Sequence, residues 1–256
     1  MKKILMTIGM GLVSMAVTVG AWTVPDETLH YSVNFKWGLI DANAGIATLT
    51  TENMPGTGQF KATLSGKSVD LMGHYYAVGD TMVGTVMAET MQPVYTQHLS
   101  REAGMFSIET VTYDTSGNSS LGKIVKELPD GKVVRSRVSH YGGGLTLDLL
   151  AVFYYIRQIE YEKMTPGECV KVNIFSGKNP ETLTVTYDGT RVISFDGADR
   201  QVYDISLTFS AEDGGHVNTD RMNVSVSSDE DRIPLLINGS LKIGHLICRY
   251  VGDTQV

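Results

Sequence analysis

The chain has 256 residues, 42% of them hydrophobic, and its 21 Lys and Arg against 28 Asp and Glu leave a net charge of −7. Charges of both signs are dispersed and no basic stripe appears in the sequence. Nucleic acid is therefore excluded as an expected partner, because phosphate neutralisation needs clustered cations.

Residues 1–21 read as a secretory signal peptide. Lys2 and Lys3 form a basic start, Ile4 to Gly20 carries no charge, and Val19-Gly20-Ala21 supplies small residues for a cut after Ala21. No cysteine lies near that junction, which excludes lipid attachment at a mature N-terminal cysteine. The expectation is an exported, periplasmic protein whose residues 22–256 form a single β-rich domain and do not span the membrane once cleaved.

Leu29, Tyr31, Val33, Phe35 and Trp37 alternate with polar residues, which predicts a half-buried strand, and Gly45 to Glu52 returns as its neighbour. Phe60 to Ser65 predicts a third strand. Val69 to Tyr76 breaks the alternation and reads as a helical turn or loop. Strands follow over Asp80–Ala88, Pro93–Arg101, Met105–Tyr113, Lys123–Leu128 and Lys132–Val138. The last two are joined through Pro129-Asp130-Gly131, a turn sequence.

Leu147 to Glu160 differs. It lacks Gly and Pro, is apolar on nearly every side up to Ile156, and lies between three glycines and Pro166-Gly167. That pattern predicts a buried helix, with Asp148 as its N-cap. Arg157 sits on this helix behind five apolar or aromatic residues. A buried guanidinium there needs a carboxylate or carbonyl partner inside the protein, or it anchors, with Tyr154 nearby, the acidic head of a ligand in a cavity.

Strands resume at Cys169–Phe175, Thr182–Tyr187, Thr190–Phe195, Arg200–Ser210 and Arg221–Ser227, with Asp188-Gly189 predicting a hairpin. Cys169 and Cys248 lie in apolar strand contexts. Export permits a disulfide between them, and a small buried hydrophobe is the plainer reading of each. Asp229-Glu230-Asp231 reads as a solvated turn, since the glycine and distal glutamate of a calcium loop are missing. In the closing stretch Ile233, Leu235, Ile237, Leu241, Ile243 and Ile247 are all odd-numbered. That phase suits one long strand crossing Asn238-Gly239, while Asn-Gly also suits a tight hairpin. Pro234 belongs at an edge or bulge near the strand start.

No nucleophile elbow, zinc-protease motif, Cys-x-x-Cys pair or phosphate-cradling glycine loop occurs, and the six histidines are scattered. No catalytic residue, metal or cofactor is expected, and the protein is not read as an enzyme.

Three segments carry a resemblance. Glu27 to Val33 leading into Gly45-Ile46-Ala47-Thr48-Leu49, Asp148-Leu149-Leu150-Ala151 with Tyr154-Tyr155 and Arg157, and Asp229 to Gly244 together resemble the exported bacterial family catalogued as domain of unknown function number 3108. The resemblance spans nearly all of residues 22–256. Ala151 departs from it where a serine is common. It implies a periplasmic, mainly antiparallel protein, favours a continuous strand through Asn238-Gly239, and supplies no activity. The expected architecture is a curved antiparallel sheet or incomplete barrel around one buried helix. By architecture it resembles the half-barrel carriers of lipoproteins. The function that follows is non-enzymatic binding of a lipid-like or other amphiphilic molecule in the cell envelope. The alternative is a structural or protein-interaction role for a fully packed interior.

Overall fold

In the computed structural model the described residues are 23–37, 40–68, 79–102, 105–116, 119–211, 221–240 and 244–252. The expected signal peptide and the Val69–Tyr76 segment lie outside them. The first eight strands are β1 Glu27–Trp37, β2 Ile40–Met54, β3 Gln59–Ser68, β4 Gly79–Met87, β5 Pro93–Glu102, β6 Met105–Tyr113, β7 Ser119–Glu127 and β8 Val133–Tyr141. A two-residue strand, β9 Thr146–Leu147, leads into the helix α1 Leu149–Gln158. The rest are β10 Cys169–Phe175, β11 Pro180–Phe195, β12 Ala198–Ala211, β13 Met222–Ser227, β14 Pro234–Ser240 and β15 His245–Gly252.

All fifteen strands belong to one sheet, in the order β8 to β1, then β15 down to β9. Every pairing is antiparallel except the short one between β9 and β10. The two edge strands, β8 and β9, are consecutive in the chain. The link from Tyr141 to Thr146 reaches at most about 18 Å, so the sheet must curl until its edges face each other.

No ladder of backbone bonds joins those edges among the described residues. Side chains and a loop fill the seam instead. The Tyr113 hydroxyl donates to the Phe175 carbonyl at 2.6 Å, and the His140 ring stacks on Phe175 at 5.4 Å. Lys178 pairs with Glu109 at 2.7 Å. Gly122 of β7 lies against the backbone of Gly177, and a Cβ at position 122 would stand 2.4 Å from the Gly177 carbonyl oxygen. Only glycine permits that approach.

The concave face carries the core. Leu29 and Tyr31 of β1, Leu49 of β2, Phe60 and Ala62 of β3, Val86 of β4 and the inward residues of β10 to β13 pack on the helix. A second, smaller cluster forms where the outer part of the β11–β12 hairpin, through Ile193, Phe195 and Val202, meets Leu235.

Three turn expectations change. Asp188-Gly189 does not reverse the chain. β11 runs through it with a register shift between Tyr187 and Gly189, so the pair makes a bulge. The reversal comes at Asp196-Gly197, both at positive φ (51° and 76°), with Phe195 facing Ala198. The closing stretch is neither one long strand nor an Asn-Gly hairpin. Asn238 and Gly239 lie inside β14, paired with β13 and β15, and the chain turns back between Ser240 and His245. Ile237 then faces Cys248, so the inward residues of β15 are even-numbered and Ile247 is not among them. Pro234 opens β14 opposite a register shift at Val226, as a residue without an N–H requires.

The seam makes a testable demand. Gly122→Val should lower stability by about 1–3 kcal/mol through overpacking. Gly143→Val, at a glycine with nothing within 4 Å of a would-be Cβ, should leave the urea midpoint within experimental scatter.

Candidate functional site

The helix closes one level of the curled sheet, and its two ends are held by different chemistry. At the N-terminus Asp148 caps the first turn, its Oδ1 accepting from the Ala151 N–H at 2.6 Å, while Thr96 of β5 donates to Oδ2. Gln92 ties the preceding strand down by donating to the Thr146 carbonyl at 3.1 Å. Leu150 packs where β4 has only Gly84, whose Cβ would stand 3.0 Å from the Leu150 side chain. Asp148 is buried, and that desolvation raises its pKa against the lowering effect of its hydrogen bonds.

Arg157 holds the C-terminal end. Its side chain is 0% exposed and its guanidinium donates to both carboxylate oxygens of Glu27 on β1. The same group donates to the Asp231 carbonyl at 2.8 Å and lies over the Phe153 ring at 5.6 Å. Tyr154, on the next turn, pairs its hydroxyl with Thr51 at 2.8 Å and packs on Phe60 with ring centroids 4.7 Å apart. Burial pushes its phenol well above the usual range. Arg232 repeats the device just outside, donating to the Ile159 carbonyl at 2.9 Å and to both oxygens of Glu162 at 3.1 Å. Of the two sequence readings of Arg157, the geometry shows the internal ion pair, and Tyr154 is likewise bound to the protein itself.

Beyond the helix the concave wall is less filled. On β1, β13, β14 and β15 the inward residues Val33, Phe35, Met222, Ile237 and Leu246 are only half-buried. On the neighbouring strands β2 and β3 the inward positions shrink to Ala47 and Gly66, which are paired side by side in the row that starts at Tyr31. A Cβ at Gly66 would meet nothing within 4 Å, and one at Gly239 would meet only Met222, at 3.6 Å. The Tyr31 hydroxyl, buried between helix and wall, has no hydrogen-bond partner among the described residues. Its pKa is pushed well up, chiefly by burial. Asp80, paired beside Gly66 on β4, has His98 of β5 3.9 Å away. Sequence reasoning missed this region because its signal is small residues, which alternation scores as interruptions.

Both cysteines are free. Cys169 is exposed at the start of β10 and Cys248 faces the core from β15, with β11 to β14 between them, so the considered disulfide is not formed. Among the described residues no group of three or more His, Cys, Asp or Glu could hold a metal ion. No described helix is long and apolar enough to cross a membrane. The acidic turn serves architecture. Asp229 accepts from Ser227 at 2.6 Å, and the Asp231 carbonyl receives Arg157.

An antiparallel sheet curled around one buried helix, fastened by a buried arginine, defines a barrel-like, mainly β protein. The chain belongs to the family described as protein of unknown function (DUF3108), which matches residues 30–248. It is also similar to a solved structure, a beta-barrel-like protein of domain of unknown function DUF1849 from Brucella abortus. The two chains are 9% identical, with a TM-score of 0.56 over 88% of this chain and 94% of the other, a likeness of fold alone. No curated protein matches.

Two outcomes follow from the helix ends. Arg157→Ala should cost on the order of 3–5 kcal/mol by stranding Glu27. Arg157→Met combined with Glu27→Gln should recover more than half of that in urea denaturation. At the other end, the raised pKa of Asp148 favours its neutral form in the folded state. Its contribution to stability is full below the ordinary value of 3.8 and is lost as pH rises through the raised folded value. Asp148→Asn keeps the bond from the Ala151 N–H and reverses the other, its amide donating to the Thr96 oxygen, so it should flatten that fall and be at least as stable as wild type at pH 7.

Proposed function

We infer that this is an exported, non-enzymatic protein of the cell envelope that holds a lipid-like or other amphiphilic molecule against the inner wall of its curled sheet. The observation carrying this reading is that a Cβ at Gly66 would meet nothing within 4 Å, on a wall that continues sideways through β1, β15 and β14 with half-buried Val33, Phe35, Leu246 and Ile237. An apolar surface of that kind, turned inward and not filled by the described residues, suits an alkyl chain. Tyr31, in the same cross-strand row as Ala47 and Gly66, and Asp80, next to Gly66 on β4 with His98 at 3.9 Å, are the inward polar groups beside that space and would orient a head group. Arg157 and Tyr154 then belong to the floor beneath the ligand, holding the helix in place. The composition of residues 1–21 supports export to the periplasm, where such molecules occur.

The rival is a packed interior with no ligand, and Gly66→Phe separates the two. In an unfilled chamber the ring occupies the space of the alkyl chain. Uptake of a fluorescent fatty-acid probe should fall at least tenfold while the melting temperature stays the same or rises. In a packed core the same change should destabilise by about 1–3 kcal/mol. Native mass spectrometry of protein from its own host should find a co-purifying amphiphile. An apo mass across several preparations, with no probe uptake, would remove the binding reading. N-terminal sequencing of the same material should begin near Trp22, and a retained Met1 would remove export.

A further inference from the structure

The outer face of β5 to β8 gathers cations that the sequence scatters. Direct cross-strand pairing sets Lys123 of β7 opposite Arg137 of β8, and Val125 opposite Arg135. The same rows continue as Thr110 beside Lys123 and Ile108 beside Val125, then Leu99 beside Ile108 and Phe106 beside Arg101. One face therefore carries Arg101, Lys123, Arg135 and Arg137 around half-buried Leu99, Phe106, Ile108, Leu121 and Val125. Glu127 is the one carboxylate on these rows among residues with described side chains. No ion pair to Lys123, Arg135 or Arg137 occurs among the described residues.

Like charges directly opposite on neighbouring strands repel and cost stability. Most arginines elsewhere in this acidic chain are placed differently. Arg157, Arg191, Arg221, Arg232 and Arg249 are each paired with a carboxylate, and of the arginines off this face Arg200 alone is not, among the described residues. Mutual repulsion is relieved when an anionic surface covers the cations. Apolar side chains between them suit a surface with hydrocarbon just below its charges, which a bilayer has and an acidic peptide lacks. β8 strengthens the case, because Val133 and Tyr141, which share the face of Arg135 and Arg137, are exposed at 42% and 78%. They put further apolar area at the rim of the same face.

We propose that the outer face of β5 to β8 docks on an anionic phospholipid surface, with Lys123, Arg135 and Arg137 at the lipid phosphates and the neighbouring apolar side chains at the headgroup boundary. The proposal does not depend on a ligand inside the sheet.

The test is flotation of the full chain with vesicles of phosphatidylcholine alone or with one third phosphatidylglycerol. The apolar run at residues 4–20 favours both compositions alike and Lys2 and Lys3 favour the anionic one in every variant, so the readout is how far the phosphatidylglycerol dependence falls when the cations of the face are removed. Binding should rise with phosphatidylglycerol and weaken as salt screens the charges. Each cation removed should lower the partition coefficient about fivefold, so Lys123→Gln/Arg135→Gln/Arg137→Gln should lower it roughly a hundredfold. These side chains are exposed, so the melting temperature should hold, and interior probe uptake should be unchanged. Lys163→Gln/Lys171→Gln/Arg200→Gln, which removes equal charge elsewhere on the exposed surface, should keep the phosphatidylglycerol dependence. Equal partition onto both compositions would overturn the proposal. So would an unchanged triple variant, or capture of an acidic extended peptide without vesicle binding.

Discussion

A guanidinium with no exposure to water organises this protein. Removing Arg157 from solvent costs several kcal/mol before any partner is counted. The fold offsets that cost by bringing three distant segments to one point. Glu27 comes from the first strand, Arg157 from the end of the helix, and the Asp231 carbonyl from the turn between β13 and β14. A carboxylate and a carbonyl placed this way accept from the flat donor fork in fixed directions, which a lysine could not satisfy alike. The pairing therefore stabilises less than it specifies. It fixes the depth and rotation of α1 against β1, and it fixes the acidic turn against both. The three segments that carry the family resemblance are the three that meet there.

The same economy governs the curl of the sheet. A long antiparallel meander has two edges, and each is a row of unpaired backbone groups. Here the edges face one another, but among the described residues no ladder closes them. A glycine pair, a stacked histidine and an aromatic hydroxyl hold the seam. Closure through side chains leaves the barrel circumference adjustable, because it does not demand a fixed shear. A helix of ten residues can then fill one level of the interior while another level is left to small residues.

Much of this was legible in the sequence. Alternation located most strands, since one buried face writes itself as a period of two. The helix was legible because apolarity on every side, bounded by glycines and Asp148, fits no half-buried strand. Arg157 stood out for having no polar neighbour before it. The turns were less legible. Asp188-Gly189 and Asp196-Gly197 are the same dipeptide between alternating residues, and only the second finds both central φ values positive. Local chemistry permits a reversal at each, and the length of the neighbouring strands decides. The last strand was misjudged for a related reason. The odd-numbered phase persists through Ile247, yet the reversal after Ser240 pairs Ile237 with Cys248 and turns Ile247 outward. Parity carries across a turn only if its length is known.

What composition does not show is the surface that pairing register makes. Lys123 and Arg137, on two strands joined by the Pro129-Asp130-Gly131 turn, are unremarkable in composition. So are Ala47 and Gly66, which become one small-residue row only when β2 lies on β3. The sheet therefore has two surfaces whose character belongs to register and not to composition. One is an inner wall where side chains stop short of filling the space, and the other is an outer wall where like charges are forced together. Both are departures from what packing and charge balance alone would select. Each costs stability that the helix, the buried arginine and the seam must supply, which places the features most in need of a functional reason where the protein is otherwise most tightly held.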